Sequence, residues 1–279
     1  MKKLKSILEG NDLIRKSIIE NKPFIAGKMG AVEQQIMIHH YSNVPWNDNL
    51  RWHASNHAGI TPANDNNLKL FSELYLESLS NLDLLAIWFP ENIGSKEYII
   101  SEKFCPNAEF TAGLQSLEPF YHPNPWSSAL ENKKVLVIHP FEDSIREQYS
   151  KKSLLFDDKS ILPDFNLITF KTYQTHGGGN TDLHWDVCYY DMIEKIGKID
   201  YDVALVGCGA YGLPICNFIK KQGKPSIHVG GGLQIMFGIK GNRWDNMPSV
   251  SKYYNENWKR PNDNEKTKNH QVVEGSTYW

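Results

Sequence analysis

Between Tyr201 and Asp245 the chain twice runs a short apolar stretch straight into glycine, and this repetition narrows the folds open to it. Asp202 to Val206 reads as a strand and stops at Gly207-Cys208-Gly209-Ala210-Tyr211-Gly212. Leu213 to Lys221 then carries a helix-like spacing (Leu213, Ile215, Cys216, Ile219), and Gly223 ends it. Ser226 to Val229 is a second strand, broken by Gly230-Gly231-Gly232 just before Leu233-Gln234-Ile235-Met236-Phe237. Both strand ends shed their side chains at the same edge of a sheet. Glycine lets backbone approach a ligand closely, and a helix start offers free N–H groups to phosphate. In an open α/β sheet the ligand crevice lies outside the carboxyl ends of the strands. The competing reading is that these glycines only permit tight turns and close packing.

The remaining strand candidates centre near residues 25, 85, 136 and 168, with Ala108 to Thr111 as a further one. Helices are expected over 31–40, 68–79 and 94–103, another opened by Ser144 to Gln148, and one capped by Thr181 or Asp182 that runs through Trp185 to Ile196. This alternation predicts an α/β fold: a mostly parallel, Rossmann-like sheet with helices on both faces. Residues 2 to 20 read as an amphipathic helix interrupted near Gly10-Asn11. Ser42 to Asn67 reads as a long loop, and Tyr173 to Asn180 as a flexible glycine loop, either able to close over a substrate or a plain surface loop. The length of 279 residues suits one large domain over 1–279, with a lobe boundary near 118–126. The tail 249–279 ends Tyr278-Trp279, two aromatics expected to dock back on the fold.

Composition removes several classes of function. The 30 basic and 32 acidic residues give a net charge of −2 with no broad basic field, which argues against nucleic acid as a partner. Cys105, Cys188, Cys208 and Cys216 show neither CxxC pairing nor zinc-like spacing, as expected of small buried residues in a reducing compartment. The start has the charges of a signal peptide without its apolar stretch, and no run approaches the ~18 apolar residues of a membrane span. The expected location is the cytoplasm, or the inner face of the membrane as a peripheral protein. The composition is compatible with an oligomer as well as a monomer.

Single residues at the strand ends carry the chemistry. Glu33 follows Gly27-Lys28-Met29-Gly30 in the first turn of a helix, where a carboxylate either complements the helix dipole or serves the crevice as a base. His139 ends the strand Lys134 to Phe141 and faces the same choice. His53 and His57 have the i, i+4 spacing of a zinc pair, but the glutamate of HExxH is missing and Gly59 and Pro62 argue against a continuing helix. A dinucleotide site wants an acid about 20 residues beyond its glycine turn. Gly230-Gly231-Gly232 stands there instead, and no Walker lysine follows either turn.

The array of Gly27 to Glu33, Pro125-Trp126, Val135 to Phe141 with Ser144-Ile145, Gly207 to Gly212, Gly230 to Gly241 with Arg243-Trp244, and Tyr278-Trp279 resembles a bacterial family found with surface-polysaccharide genes. That family is similar to the GT-D-type glycosyltransferases. The resemblance implies transfer of a sugar from a nucleotide-sugar donor to a glycan or lipid-linked acceptor. With the loop around Asn56 and His57 read as a ligand-contacting segment, the expected site has Glu33 as the catalytic carboxylate and a donor-contacting set of Gly27, Lys28, Gly30, Asn56, His57, His139, Gly207, Gly209, Tyr211, Gly230, Gly231, Gln234 and Arg243. In the related motif an Asp-x-Glu pair is implicated in metal binding. Here Ala31 replaces the aspartate, so Mg²⁺ or Mn²⁺ is disfavoured unless Asp65, Asp143, Asp182 or Asp245 fills the place, and backbone N–H groups with Lys28 or Arg243 are left to stabilise the donor phosphates. Two alternatives stand beside this reading: another enzyme using an NAD- or S-adenosylmethionine-type cofactor, and a nucleotide-sugar-binding protein without catalysis.

Overall fold

A computed structural model of the chain describes residues 2–88, 96–179 and 181–279. The expected strand end at Phe89-Pro90, the helix start at Gly94 and the loop residue Asn180 lie outside the described residues. The strands are β1 (Leu4–Lys5), β2 (Phe24–Gly27), β3 (Leu84–Ile87), β4 (Glu109–Ala112), β5 (Lys134–His139), β6 (Asn166–Lys171), β7 (Val203–Val206) and β8 (Pro225–His228). They form one sheet, parallel throughout, in the order β1-β4-β3-β2-β8-β7-β5-β6. The helices that bear on the site are α1 (Ile7–Ile19), α2 (Ala31–Tyr41), α3 (Asp48–His53), α4 (Asp65–Ser80), α5 (Lys96–Phe104), α6 (Glu142–Ser150), α7 (Trp185–Ile196), α8 (Gly212–Lys221) and α9 (Gly232–Met236).

Strand periodicity explains the two cores. On β5, Leu136 and Ile138 point into one core and Val135 and Val137 into the other. On β7, Ala204 and Val206 are divided from Val203 and Leu205 in the same way. With both faces covered, the strands read as unbroken apolar runs, the mark of a parallel sheet. The α/β, Rossmann-like class expected from the sequence is the one observed.

Four local expectations change. Residues 2 to 20 are not one helix: Leu4–Lys5 pairs with β4, and a capping box between Ser6 and Glu9 starts α1 at Ile7. Gly10 does not interrupt α1. A Cβ there would lie 2.5 Å from Thr111, so the glycine lets the helix press onto β4. Asn11 is buried and tied in place, accepting from the Trp126 N–H at 2.7 Å and donating to Asn124 O at 2.9 Å.

The stretch 42–67 is largely helical. α3 continues as a π-helical turn over Ala54–Ala58 and stops at Gly59, whose φ of +76° is the left-handed stop expected of glycine. Asn47 and Asn64 cap α3 and α4 through their side chains. Neither Thr181 nor Asp182 caps α7. The cap position is His184, and the Trp185 N–H donates to Thr61 O at 2.7 Å. Among the described residues no helix is long and apolar enough to cross a membrane.

Candidate functional site

From β5 the chain moves outward to β6, and from β7 it moves inward to β8. The carboxyl ends of β2, β8, β7 and β5 therefore frame a crevice, as an open parallel sheet requires where strand order diverges. A cavity of about 170 Å³ occupies it. Of the expected residues, Lys28, Gly30, Glu33, His57, His139, Gly207, Gly209, Tyr211, Gly230, Gly231, Gln234 and Arg243 line it. Gly27 and Asn56 do not. A Cβ on Gly27 would meet Leu213 at 2.8 Å, so this glycine seats α8 on β2. The Asn56 side chain donates to Trp52 O at 3.0 Å, and the Asn56 backbone carbonyl accepts from the Gly177 N–H at 3.1 Å.

Lys28 leaves the end of β2 and lies along Gly230, where a Cβ would be 2.8 Å from its Cε. Its ammonium sits 4.7 Å from the centre of the Trp88 ring and makes no hydrogen bond or ion pair among the described residues. Burial lowers its pKa, against the pull of Glu33. The Glu33 carboxylate turns back on the start of α2, so that a Cβ on Gly30 would lie 2.0 Å from Oε2. Burial raises its pKa, while its own backbone N–H and Lys28 act in the opposite direction. The Gly30 N–H is taken by Tyr75 Oη at 3.2 Å.

His139, His176 and His228 are neutral groups of the cavity wall. Burial pushes His139 and His228 down to about 3 and His176 to about 4. His139 accepts from the Phe141 N–H through Nδ1 at 3.0 Å. His57 lies with Nδ1 3.2 Å from Nδ1 of His53, so the pair spends its facing nitrogens on each other. No group of three or more His, Cys, Asp or Glu residues suited to a metal ion occurs among the described residues.

Two expected ligand contacts have other occupations. Arg243 donates to Glu274 and, at 3.1 Å, to Thr277 Oγ1, and stacks 5.1 Å from the Tyr278 ring. Gln234 is fully buried, and its Nε2 donates to the carbonyls of Ile239, Lys240 and Tyr278. Both hold the tail against the sheet edge. Asp65, Asp143 and Asp245 pair with Arg51, Lys171 and Arg260, and none of these aspartates, nor Asp182, lines the cavity.

Several wall residues lie outside the expected set. Trp88, Phe141, His176, His228, Glu274, Tyr278 and Trp279 line the cavity, and Glu118 stands behind the Gly232 turn. Burial raises Glu118 to about 7. The Tyr278-Trp279 pair could have been found from two aromatics at the end of a polar segment, His176 from its place in the 173–180 glycine loop, and Phe141 from the strand end it shares with His139. The tail and the 173–179 loop form the roof together: Asn269 N–H donates to Gly177 O at 2.9 Å, and Trp279 Nε1 donates to Glu265 O at 3.2 Å. Gly177, Gly178 and Gly179 all have left-handed φ, which turns the loop back on itself.

No protein-family model, curated protein or solved structure matches the chain.

Proposed function

We propose that the chain is a glycosyltransferase that moves a sugar from a nucleotide-sugar donor to a hydroxyl of a glycan or lipid-linked acceptor. The observation that carries this reading is the pairing, at one end of one cavity, of the Lys28 ammonium, which has no ion-pair partner among the described residues, with the Glu33 carboxyl, whose pKa is raised by burial. Lys28 meets the donor diphosphate and stabilises the charge that grows as the bond from sugar carbon to phosphate oxygen breaks. Glu33 takes the proton of the acceptor hydroxyl as its oxygen bonds to that carbon, and a raised pKa brings a carboxylate closer to the basicity this requires.

The carboxylates available do not fit an Asp-x-Glu metal site. Ala31 stands at the aspartate position, and the other acidic lining residue, Glu274, is engaged by Arg243. No step is therefore routed through a metal. A dinucleotide fits poorly as well, since β8 ends in His228-Val229-Gly230 with no acid for the ribose. A cavity of 170 Å³ lies below the ~300–1,000 Å³ usual for pockets that engulf a drug-sized ligand. A nucleotide sugar thus extends through the mouth or lifts the roof. Binding without catalysis is the second reading, favoured by the position of the Glu33 carboxylate against Gly30, where it serves the helix start.

Donor turnover with uridine, guanosine and thymidine diphosphate sugars, in wild type and Glu33→Gln, each with and without chelator, separates these readings. Glu33→Gln is expected to lose about 10²- to 10⁴-fold in turnover with donor binding retained, and chelation to cost far less. Full turnover in Glu33→Gln overturns the base assignment. Complete loss on chelation overturns metal independence. Donor binding with no turnover in wild type selects the binding protein.

A further inference from the structure

The cavity is chemically uneven from one side of the sheet to the other. Lys28 and Glu33 belong to the β2 side, and the Lys28 ammonium reaches Gly230 at the end of β8. Two strand spacings away, about 10 Å, the walls at the ends of β5 and β6 are His139, Phe141, Thr172 and His176, roofed by Trp279. The ring centres of His139 and Phe141 are 4.8 Å apart, those of Phe141 and Trp279 6.1 Å, and those of His176 and Trp279 5.9 Å. None of these side chains is charged, because both imidazoles are held neutral by burial.

His139 has a fixed role in this wall. Its Nδ1 is occupied as an acceptor by the Phe141 N–H, so the ring proton sits on Nε2. That N–H has no partner among the described residues, although the side chain is only 4% exposed and lines the cavity. The ring lines the cavity, so this N–H is available to a ligand acceptor there.

We propose that this end of the cavity takes the base of a nucleoside diphosphate, stacked against the aromatic walls, and that His139 reads the base by donating Nε2–H to one of its acceptor atoms. The inference rests on the nucleotide half of the preceding proposal and is independent of sugar transfer. Phosphate is the poorer occupant here: an anion is better served by the unpaired ammonium on the other side than by a neutral N–H among rings. The distance between the two ends is of the scale that separates a base from its phosphates.

The test is calorimetric titration of the full chain with UDP, GDP and inorganic pyrophosphate. His139→Asn offers an oxygen at the Nδ1 position for Phe141 N–H and removes the Nε2 donor, so a purely structural histidine predicts wild-type binding. The expected result is wild-type melting, nucleotide affinity at least about tenfold weaker, and pyrophosphate affinity within about twofold of wild type. His139→Gln, whose amide reaches the Nε2 position, is expected to bind the nucleotides more tightly than His139→Asn. Unchanged nucleotide affinity in His139→Asn, an equal loss for pyrophosphate, or the reverse order of the two variants overturns the assignment. Failure of wild type to bind either nucleotide overturns it together with the proposed function, whereas nucleotide binding with the expected variant effects but no sugar transfer supports it and defeats the transferase alone.

Discussion

The turn after β7 and the turn after β8 look alike in sequence, and the molecule uses them differently. At Gly230-Gly231-Gly232 each glycine makes room for a side chain from elsewhere. A Cβ on Gly230 would meet Lys28 Cε at 2.8 Å, one on Gly231 would meet Tyr278 at 2.9 Å and Trp244 at 3.1 Å, and one on Gly232 would meet Glu118 Oε1 at 2.6 Å. This turn is a junction where β2, the 117–121 connector and the tail converge. In the β7 turn, Gly207 and Gly212 are packed in the same manner, against His139 and His228. Gly209 is not: a Cβ there would meet nothing within 4 Å, its φ is +58°, and it lines the cavity. Of the glycines in the two turns, Gly209 is the one that leaves backbone open to a ligand. Glycine at a strand end marks close approach, but whether a side chain or a ligand approaches is decided by what the rest of the fold brings there.

The sharpest way to break this contrast is to fill the β8 turn. Gly230→Val places a β-branched residue at the left-handed φ of +66°, and its Cβ also pushes the end of the Lys28 side chain aside. The expected loss is about 3 kcal/mol of unfolding free energy, measured by denaturant titration. A variant as stable as wild type would show that the turn is not a packed junction. Gly209→Ala is expected to cost only about 1 kcal/mol, from its left-handed backbone, and to weaken nucleotide affinity about tenfold. Gly223→Ala is the control, because Gly223 also has a left-handed φ (+82°) and open space around it but does not line the cavity. Equal affinities in these two alanine variants would return Gly209 to a plain turn residue.

A pH-dependent test concerns Glu118, held against Gly232 with its pKa raised to about 7 by burial and pulled down by Lys28 and Arg243. A carboxyl whose folded value exceeds its unfolded value contributes stability that is fully present below its ordinary 4.5 and is lost as pH rises through about 7. The melting temperature of Glu118→Gln relative to wild type should therefore climb between pH 4.5 and pH 8. Taking the difference between the two proteins cancels the opposite trend of the buried histidines, whose lowered values favour the folded state above their ordinary pKa and withdraw that support in acid. A gap that stays constant with pH would mean that Glu118 is not titrating in the packed turn.

The sequence by itself determined the alternation of strand and helix, the parallel sheet buried on both faces, and the edge at which glycines, Lys28, Glu33 and His139 gather. Those features depend on local periodicity and on glycine at strand ends, which act over a few residues. The two-residue strand Leu4–Lys5 was illegible because it is too short to show a period, and α3 with its π turn was illegible because proline, glycine and amides outweighed a short helical pattern. Only the tertiary structure decided that Arg243 and Gln234 hold the tail, that Glu118 and Tyr278 fill the β8 turn, and that Gly209 stays open. These choices depend on the strand order, which sets β2 beside β8 and lays the last residues over both, and such pairings between distant parts of the chain leave no periodic trace in sequence.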